Sequence, residues 1–331
     1  MRKYSKNRAM KRILGIGNAL VDILVHVDGD DIINRFGLAK GGMEMVGIEK
    51  KNEILKAIAD LDRTVATGGS TSNTMHGLAR LGNAAGYMGS IGRDPLGATF
   101  RDECLRFGVE PHLLESDTET GVAITFITPD AERTFATFLG AAATMQPSQI
   151  DKSVFDSYDI VHVEGYLIFN HELILEICRA AKDKGLMVSM DMASYNLVEQ
   201  HREFVETLLR DYVDIIFANE DEARTFTGKE PEEALAVLSK HCPISVVKVG
   251  KDGSMVMADG CLTRVEPVKA EPVDTTGAGD IYASGFLYGL SKGYDFARSG
   301  KIASMLAAKL IECVGAKLPD NMWESLIISN L

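Results

Sequence analysis

The chain runs to 331 residues, 46% hydrophobic and 25% charged, with a formal net charge of −12. That length buries a large core, enough for one large α/β unit with an appendage or for two domains. The acidic balance argues against nucleic acid as a partner, because binding an extended phosphate backbone needs clustered Lys and Arg. Five scattered cysteines without a C-x-x-C pair suggest neither a disulfide framework nor a zinc site, and fit a reducing cytoplasm.

The basic start MRKYSKNRAMKR leads straight into ILGIGNALVDILVHVD with no A-x-A-like site, so it is not read as a signal peptide. No segment approaches the ~18 uninterrupted apolar residues of a membrane span. GIGNAL (15–20) invites a dinucleotide-binding reading, and with it an NAD-linked oxidoreductase. It lacks a third glycine, however, and is followed by strand alternation where that fingerprint needs a helix. No G-x-x-x-x-G-K-[ST] occurs either. DILVHVD, GVAITFIT and RTFATFLG, the last two joined by PDAE, alternate as antiparallel strands with one polar face. KKNEILKAIADLD and TSNTMHGLARLG read as helices and AGYMGSIG as a strand. These pieces predict a discontinuous β lid, from about 19–48 and 120–140, that excludes water from one end of a core. Its unpaired edge invites a homodimer through the lid.

From Tyr158 onward the pattern turns regular: DIVHVEGYLIF, helical HELILEICRAAKDKG, LMVSMDM, helical LVEQHREFVETLLRD, then VDIIFA. Continuous apolar strands alternating with amphipathic helices predict βαβ units around a buried parallel sheet in a three-layer α/β fold. PEEALAVLSKH continues as a helix, ISVVKVG as a strand, and SMVMA after GKDG as a hairpin edge. Residues 277–314 read mainly as two long helices separated by SKGYDF. No repeat or long linker divides the chain.

Several motifs carry two readings. In TGGSTSN, Ser70 or Thr71 serves as an ordinary N-cap; alternatively Gly68 and Gly69 admit a ligand close to the backbone and Asn73 bonds a hydroxyl, as sugar recognition requires. In NEDE, Asn219 and Glu222 have capping-box spacing, yet they also sit at the carboxyl end of a parallel strand, where open α/β sheets bind ligands. In VDTTGAGD, Asp274 or Thr275 suits an N-cap, while Gly277, Ala278 and Gly279 strip away more side chain than a cap needs, as a phosphate site at a helix N-terminus would. Asp22 interrupts an apolar run, so it either alternates outward or is paired at a cavity. Arg133 is a hairpin residue or a lid cation within reach of phosphate. His26, His76 and His162 are read as structural, and Met43 and Met45 as packing.

Taken together, GGSTSN, NEDE and DTTGAGD, in this order on an α/β chain of this length, resemble the ribokinase-like (PfkB-type) carbohydrate and nucleoside kinases. The resemblance covers almost the whole chain after about residue 12 and implies a single domain over 1–331: a three-layer αβα core with a mostly parallel sheet and a small β-strand lid. It implies ATP-dependent phosphorylation of a primary hydroxyl on a small sugar or nucleoside. Asp280 would then be the base, and Gly277, Ala278 and Gly279 the anion hole. Asp22, Gly68, Gly69, Asn73 and Arg133 would bind the acceptor. Asn219, Glu222, Lys248, Gly250, Gly253 and Thr275 would border ATP, with Mg²⁺ held through water near Glu222 and no direct metal ligand. GNALVDI and AKGGMEMVG are similar to adenosine-kinase-like members, EGYL and RTFATFLGAA are similar to bacterial members called adenosine-kinase-like or simply sugar kinases, and ribokinases carry a Lys where this chain has Ser70. The alternatives are a ribokinase-, fructokinase- or ketodeoxygluconate-kinase-like sugar kinase, and a sugar-binding regulator without catalysis.

Overall fold

The computed structural model describes residues 10–130 and 132–328; the first nine residues of the basic start and Ala131 of the PDAE turn lie outside the described residues. In chain order the strands are β1 (Ile13–Ile16), β2 (Leu20–His26), β3 (Met43–Met45), β4 (Arg63–Gly68), β5 (Ala85–Gly92), β6 (Val109–Ser116) and β7 (Gly121–Ile127). They continue with β8 (Arg133–Phe138), β9 (Ile160–Val163), β10 (Met187–Asp191), β11 (Ile215–Asn219), β12 (Ile244–Lys248), β13 (Ser254–Ala258) and β14 (Cys261–Val265).

Nine of them form one sheet in the order β14-β13-β12-β11-β10-β9-β1-β5-β6, parallel from β12 to β6 and closed at the other edge by the antiparallel β13 and β14. Alternate residues of each central strand feed opposite layers, as the period of two requires. In β11, Ile216 and Ala218 join one core with the helices His171–Asp183 and Tyr195–Asp211, while Ile215 and Phe217 join the other with the helix Ala278–Ser291. Burial on both faces is why these strands read as unbroken apolar runs. Asn170 and Ser194 cap the first two helices by accepting from Leu173 and Leu197 N–H.

The remaining five strands form a smaller sheet, β3-β8-β7-β2-β4. Its fifth strand, β4, falls outside both stretches expected to build the lid. Two pairings also run against expectation: β2 pairs with β7, and β3 with β8, in parallel. Alternation determines which face a residue occupies but not the direction of its partner, and the long connections supply the crossovers that parallel pairing needs. Val21, Ile23, Val25, Val122, Ile124 and Phe126 pack one face of this sheet against Ile33, Ile54 and Ile58, so the short helix Asp31–Arg35 and the helix Ile48–Ala57 cover it. The opposite face looks toward the carboxyl edge of the large sheet.

Candidate active site

Five neighbouring strands present polar residues along that carboxyl edge. In spatial order they are Lys248 on β12, Asn219 on β11, Asp191 on β10, Glu164 just past β9, and Asn18 two residues past β1. Carboxyl ends of parallel strands are where ligands bind in open α/β sheets.

Two helix starts meet in front of this row. The helix Ser70–Arg80 begins at Gly69, and Ala278–Ser291 begins at Gly277. Neither expected cap forms: Ser70 Oγ instead donates to Asp280 Oδ1 at 2.7 Å, and Asn73 Nδ2 donates to Asp280 Oδ2 at 3.0 Å. Asp274 and Thr275 precede the helix without capping it. Thr74 Oγ1 donates to the Asp280 carbonyl at 3.2 Å, and Ser284 Oγ to the Thr74 carbonyl at 2.9 Å, which locks the two helices together. Burial pushes the Asp280 carboxyl up to about 6, against the opposing pull of Asn73 and Ser70.

Gly277 has φ +75°, and a β-carbon there would lie 2.8 Å from that of Ala316, so the turn requires glycine. Ala278 N–H is already used, donating to the Thr275 carbonyl at 3.1 Å. Over Gly279 lies the Lys248 ammonium, 3.1 Å from where a β-carbon would sit. Lys248 Nζ also donates to Asp191 Oδ2 at 3.0 Å. Burial works against the Lys248 charge, but Asp191 and Glu222 outweigh it and raise its pKa above the ordinary lysine value. Burial, then repulsion from Asp191, pushes the Glu222 carboxyl up to about 7, with Lys248 opposing. The capping box is present: Glu222 N–H donates to Asn219 Oδ1 and Asn219 N–H to Glu222 Oε2, each at 2.8 Å. The capping reading of NEDE therefore holds, at the carboxyl end of β11 where a ligand-facing role was also expected.

On the other side of Asp280, Asp22 lies across Gly68 so closely that any β-carbon there would collide with its carboxylate. Burial pushes the Asp22 carboxyl up to about 6, with Lys317 opposing. Glu164 is 2% exposed, accepts from Asn18 Nδ2 at 2.5 Å and from Thr71 N–H at 3.4 Å, and is pushed by burial up to about 7. Asn18, Ser70 and Glu164 form the polar end of a cleft of 230 Å³ whose walls include Met43, Met45, Phe135 and Tyr166. Met43 and Met45, expected to be core packing, are 44% and 41% exposed, because β3 is an edge strand that turns them toward the cleft.

Other expectations need correction. Arg133 Nη2 donates to Asp274 Oδ2 at 2.5 Å, so this lid cation is already paired with the turn that leads to Gly277. Gly253 is packed against the Val265 carbonyl, and the pairing of β13 with β14 explains it without a nucleotide; Gly250 has φ +53° and faces open space. Thr275 is exposed. The histidine expectation, by contrast, stands: His76 and His162 are buried, and burial lowers them to about 3 and about 4, which keeps both neutral, while His26 ends β2 exposed. Sequence reasoning passed over Asn18 and Asp191 and gave Glu164 no role. The available signal was position alone: each ends a parallel strand at the same edge as Asn219.

Comparison with known proteins agrees with this arrangement. The model of the pfkB family carbohydrate kinases matches residues 45–322. A probable sugar kinase from Rhizobium etli CFN 42 superposes with a TM-score of 0.88 at 30% identity, covering 97% of this chain and 99% of that one. The adenosine kinase of Sinorhizobium meliloti superposes with a TM-score of 0.87 at 31% identity, covering 97% and 100%. The adenosine kinase of Saccharomyces cerevisiae is 26% identical over 329 residues, 92% of this chain and 96% of the yeast protein. The nearly full-length match and the helix start at Gly277 lead to one conclusion: the chain belongs to the pfkB family of carbohydrate kinases, with the ribokinase-like fold.

Proposed function

We propose that this kinase transfers the γ-phosphoryl group of ATP to the primary hydroxyl of a ribonucleoside, with adenosine the best match. One observation carries the choice of acceptor: the cleft that opens at Ser70 has a polar end beside Asp280 and apolar walls at Met43, Met45, Phe135 and Tyr166. A ribose fits the polar end, and a flat apolar base fits the walls. A bare sugar leaves those walls facing water. The similarity to proteins named adenosine kinase supports the same reading.

In this mechanism the Asp280 carboxylate, aimed by Ser70 and Asn73, accepts the proton of the attacking hydroxyl. Asp22, Asn18 and Glu164 hold the ribose hydroxyls, with Gly68 and Gly69 leaving room. The free N–H groups at the start of the helix, at Gly277 and Gly279, together with the Lys248 ammonium, stabilise charge on the transferring phosphoryl group. Asn219 and Glu222 stand on the nucleotide side. Among the described residues no group of three or more His, Cys, Asp or Glu side chains could hold a metal ion. Mg²⁺ would arrive on the ATP phosphates, and Glu222 would hold it through water. Bound so, Mg²⁺ supplies positive charge to the phosphates. The smaller sheet acts as a lid that excludes water. A homodimer would pair through its edges, β3 or β4, because helices cover one face. The medium of action is taken as the cytoplasm, and no described helix is long and apolar enough to cross a membrane.

The test is ADP release from ATP and Mg²⁺ with adenosine, other ribonucleosides, ribose, fructose and ketodeoxygluconate, with Asp280→Asn as control. Turnover with adenosine that the control abolishes supports the proposal. Turnover with a free sugar alone selects the sugar-kinase alternative. Tight binding without turnover of any acceptor selects the regulator.

A further inference from the structure

Lys317 lies in the segment after the helix Phe296–Leu310, far in sequence from every motif discussed above. Its ammonium donates to the Thr67 carbonyl at 2.7 Å and to Glu103 Oε1 at 2.5 Å, and also bonds Thr67 Oγ1. Thr67 precedes Gly68, the residue across which Asp22 lies, and belongs to β4, the strand paired with β2 and Asp22. Two residues before Lys317, Gly315 N–H donates to Asp274 Oδ2 at 2.5 Å. Between them, Ala316 closes on Gly277. This short segment therefore touches both the edge of the lid and the turn at the transfer centre.

We propose that Lys317 is a positioning residue for the acceptor: through Thr67 it ties β4, and with it the Gly68 seat of Asp22, to the Gly277 turn, and its ammonium, paired with Glu103, sets positive charge behind the Asp22 carboxylate. The inference rests on the kinase reading above and adds to it a residue that no motif contains. The charged groups acting on Asp22 come from four elements. They are Lys317, Asp280 on its helix, Arg133 on β8, and Glu103 on the helix Pro95–Arg106. Arg133 is committed to Asp274, and Glu103 shares Lys317, so Lys317 is the main cation opposing burial at Asp22. A carboxylate accepts charge-assisted hydrogen bonds from two acceptor hydroxyls, whereas its protonated form turns one oxygen into a donor and keeps only weaker, neutral acceptance at the other. Lys317 thereby controls acceptor affinity without touching the acceptor.

The experiment follows the ¹³Cγ resonance of Asp22 through a pH titration, with Asp22→Asn supplying the assignment. Wild type is compared with Lys317→Met, Lys317→Arg and Glu103→Gln, and KM for adenosine is measured against pH on the same samples. Lys317→Met should move the Asp22 titration up by about one pH unit, a tenfold change in its ionisation constant. The pH at which KM begins to rise on acidification should move with it, while kcat at high pH stays within about threefold of wild type. Lys317→Arg should restore both. Glu103→Gln should move Asp22 the opposite way, which keeps the test decisive if Lys317→Met fails to fold. An Asp22 titration indifferent to both the Lys317 and Glu103 substitutions overturns the proposal. A shifted titration on a protein that turns over no acceptor supports the link between Lys317 and Asp22 but counts against the kinase reading, so the two failures are distinguishable.

Discussion

The two sides of Asp280 are built on different plans. On the proposed reading, the nucleotide side draws on the ends of three adjacent strands, β10 to β12, and the start of the helix Glu220–Thr227: Asp191, Asn219, Glu222 and Lys248. Its charges are compact, with one ammonium between two carboxylates. The proposed acceptor side is assembled from distant pieces, Asn18 and Asp22, Gly68 to Asn73, β3 and β8, and Glu164 to Tyr166. Its carboxyls are spread along a cleft with apolar walls. A side that holds phosphates benefits from concentrated fixed charge, while one that discriminates among acceptors benefits from shape.

Substitutions can break that contrast. The largest effect belongs to the residue at the junction: Asp280→Asn should lower kcat by about 1,000-fold, measured as ADP release at saturating adenosine. Its thermal stability at pH 8 should not fall, because the substitution removes a carboxylate that burial already disfavours. On the nucleotide side, Lys248→Met strands Asp191 and Glu222 without their cation. Denaturant unfolding should show a loss of about 3 to 5 kcal/mol, the cost of breaking a buried ion pair from one side. On the acceptor side, Phe135→Ala should raise KM for adenosine about tenfold with kcat nearly unchanged and leave stability almost intact, since it removes binding common to substrate and transition state. Equal effects of the Lys248 and Phe135 substitutions on stability would erase the distinction between the sides.

The smallest effect is a pH dependence. Glu164, with its folded pKa raised to about 7 from 4.5, binds its proton more tightly in the folded chain than in the unfolded one. The stability it contributes is fully present below about pH 4.5 and is lost as pH rises through about 7. Glu164→Gln should therefore flatten the melting temperature across that window relative to wild type. An unchanged slope would contradict the burial assigned to this carboxyl.

How far each side could be read beforehand follows the same division. DTTGAGD, NEDE and the strand–helix alternation after Tyr158 are local signals, and the structure builds the expected elements from them. What could not be read depends on distant partners. Strand alternation placed the apolar faces of β2 and β7 but not their parallel pairing. Ser70 looked like a cap because its actual partner, Asp280, is 210 residues away. Met43 and Met45 looked like core because nothing in a single sequence marks β3 as an edge. Glu164 and Asp191 were single polar residues at strand ends, visible only once the strand order put them beside Asn219. Lys317 is the extreme case, 250 residues from Thr67 and 214 from Glu103.

The most direct measurement is the ratio of kcat/KM for adenosine to that for free ribose on the wild-type enzyme. Burying the base against the apolar walls at roughly 25 cal/mol per Å² gives about 4 kcal/mol of selective binding. The predicted ratio is therefore about 1,000 in favour of adenosine. A ratio near one, or a preference for ribose, would contradict a cleft shaped for a nucleoside.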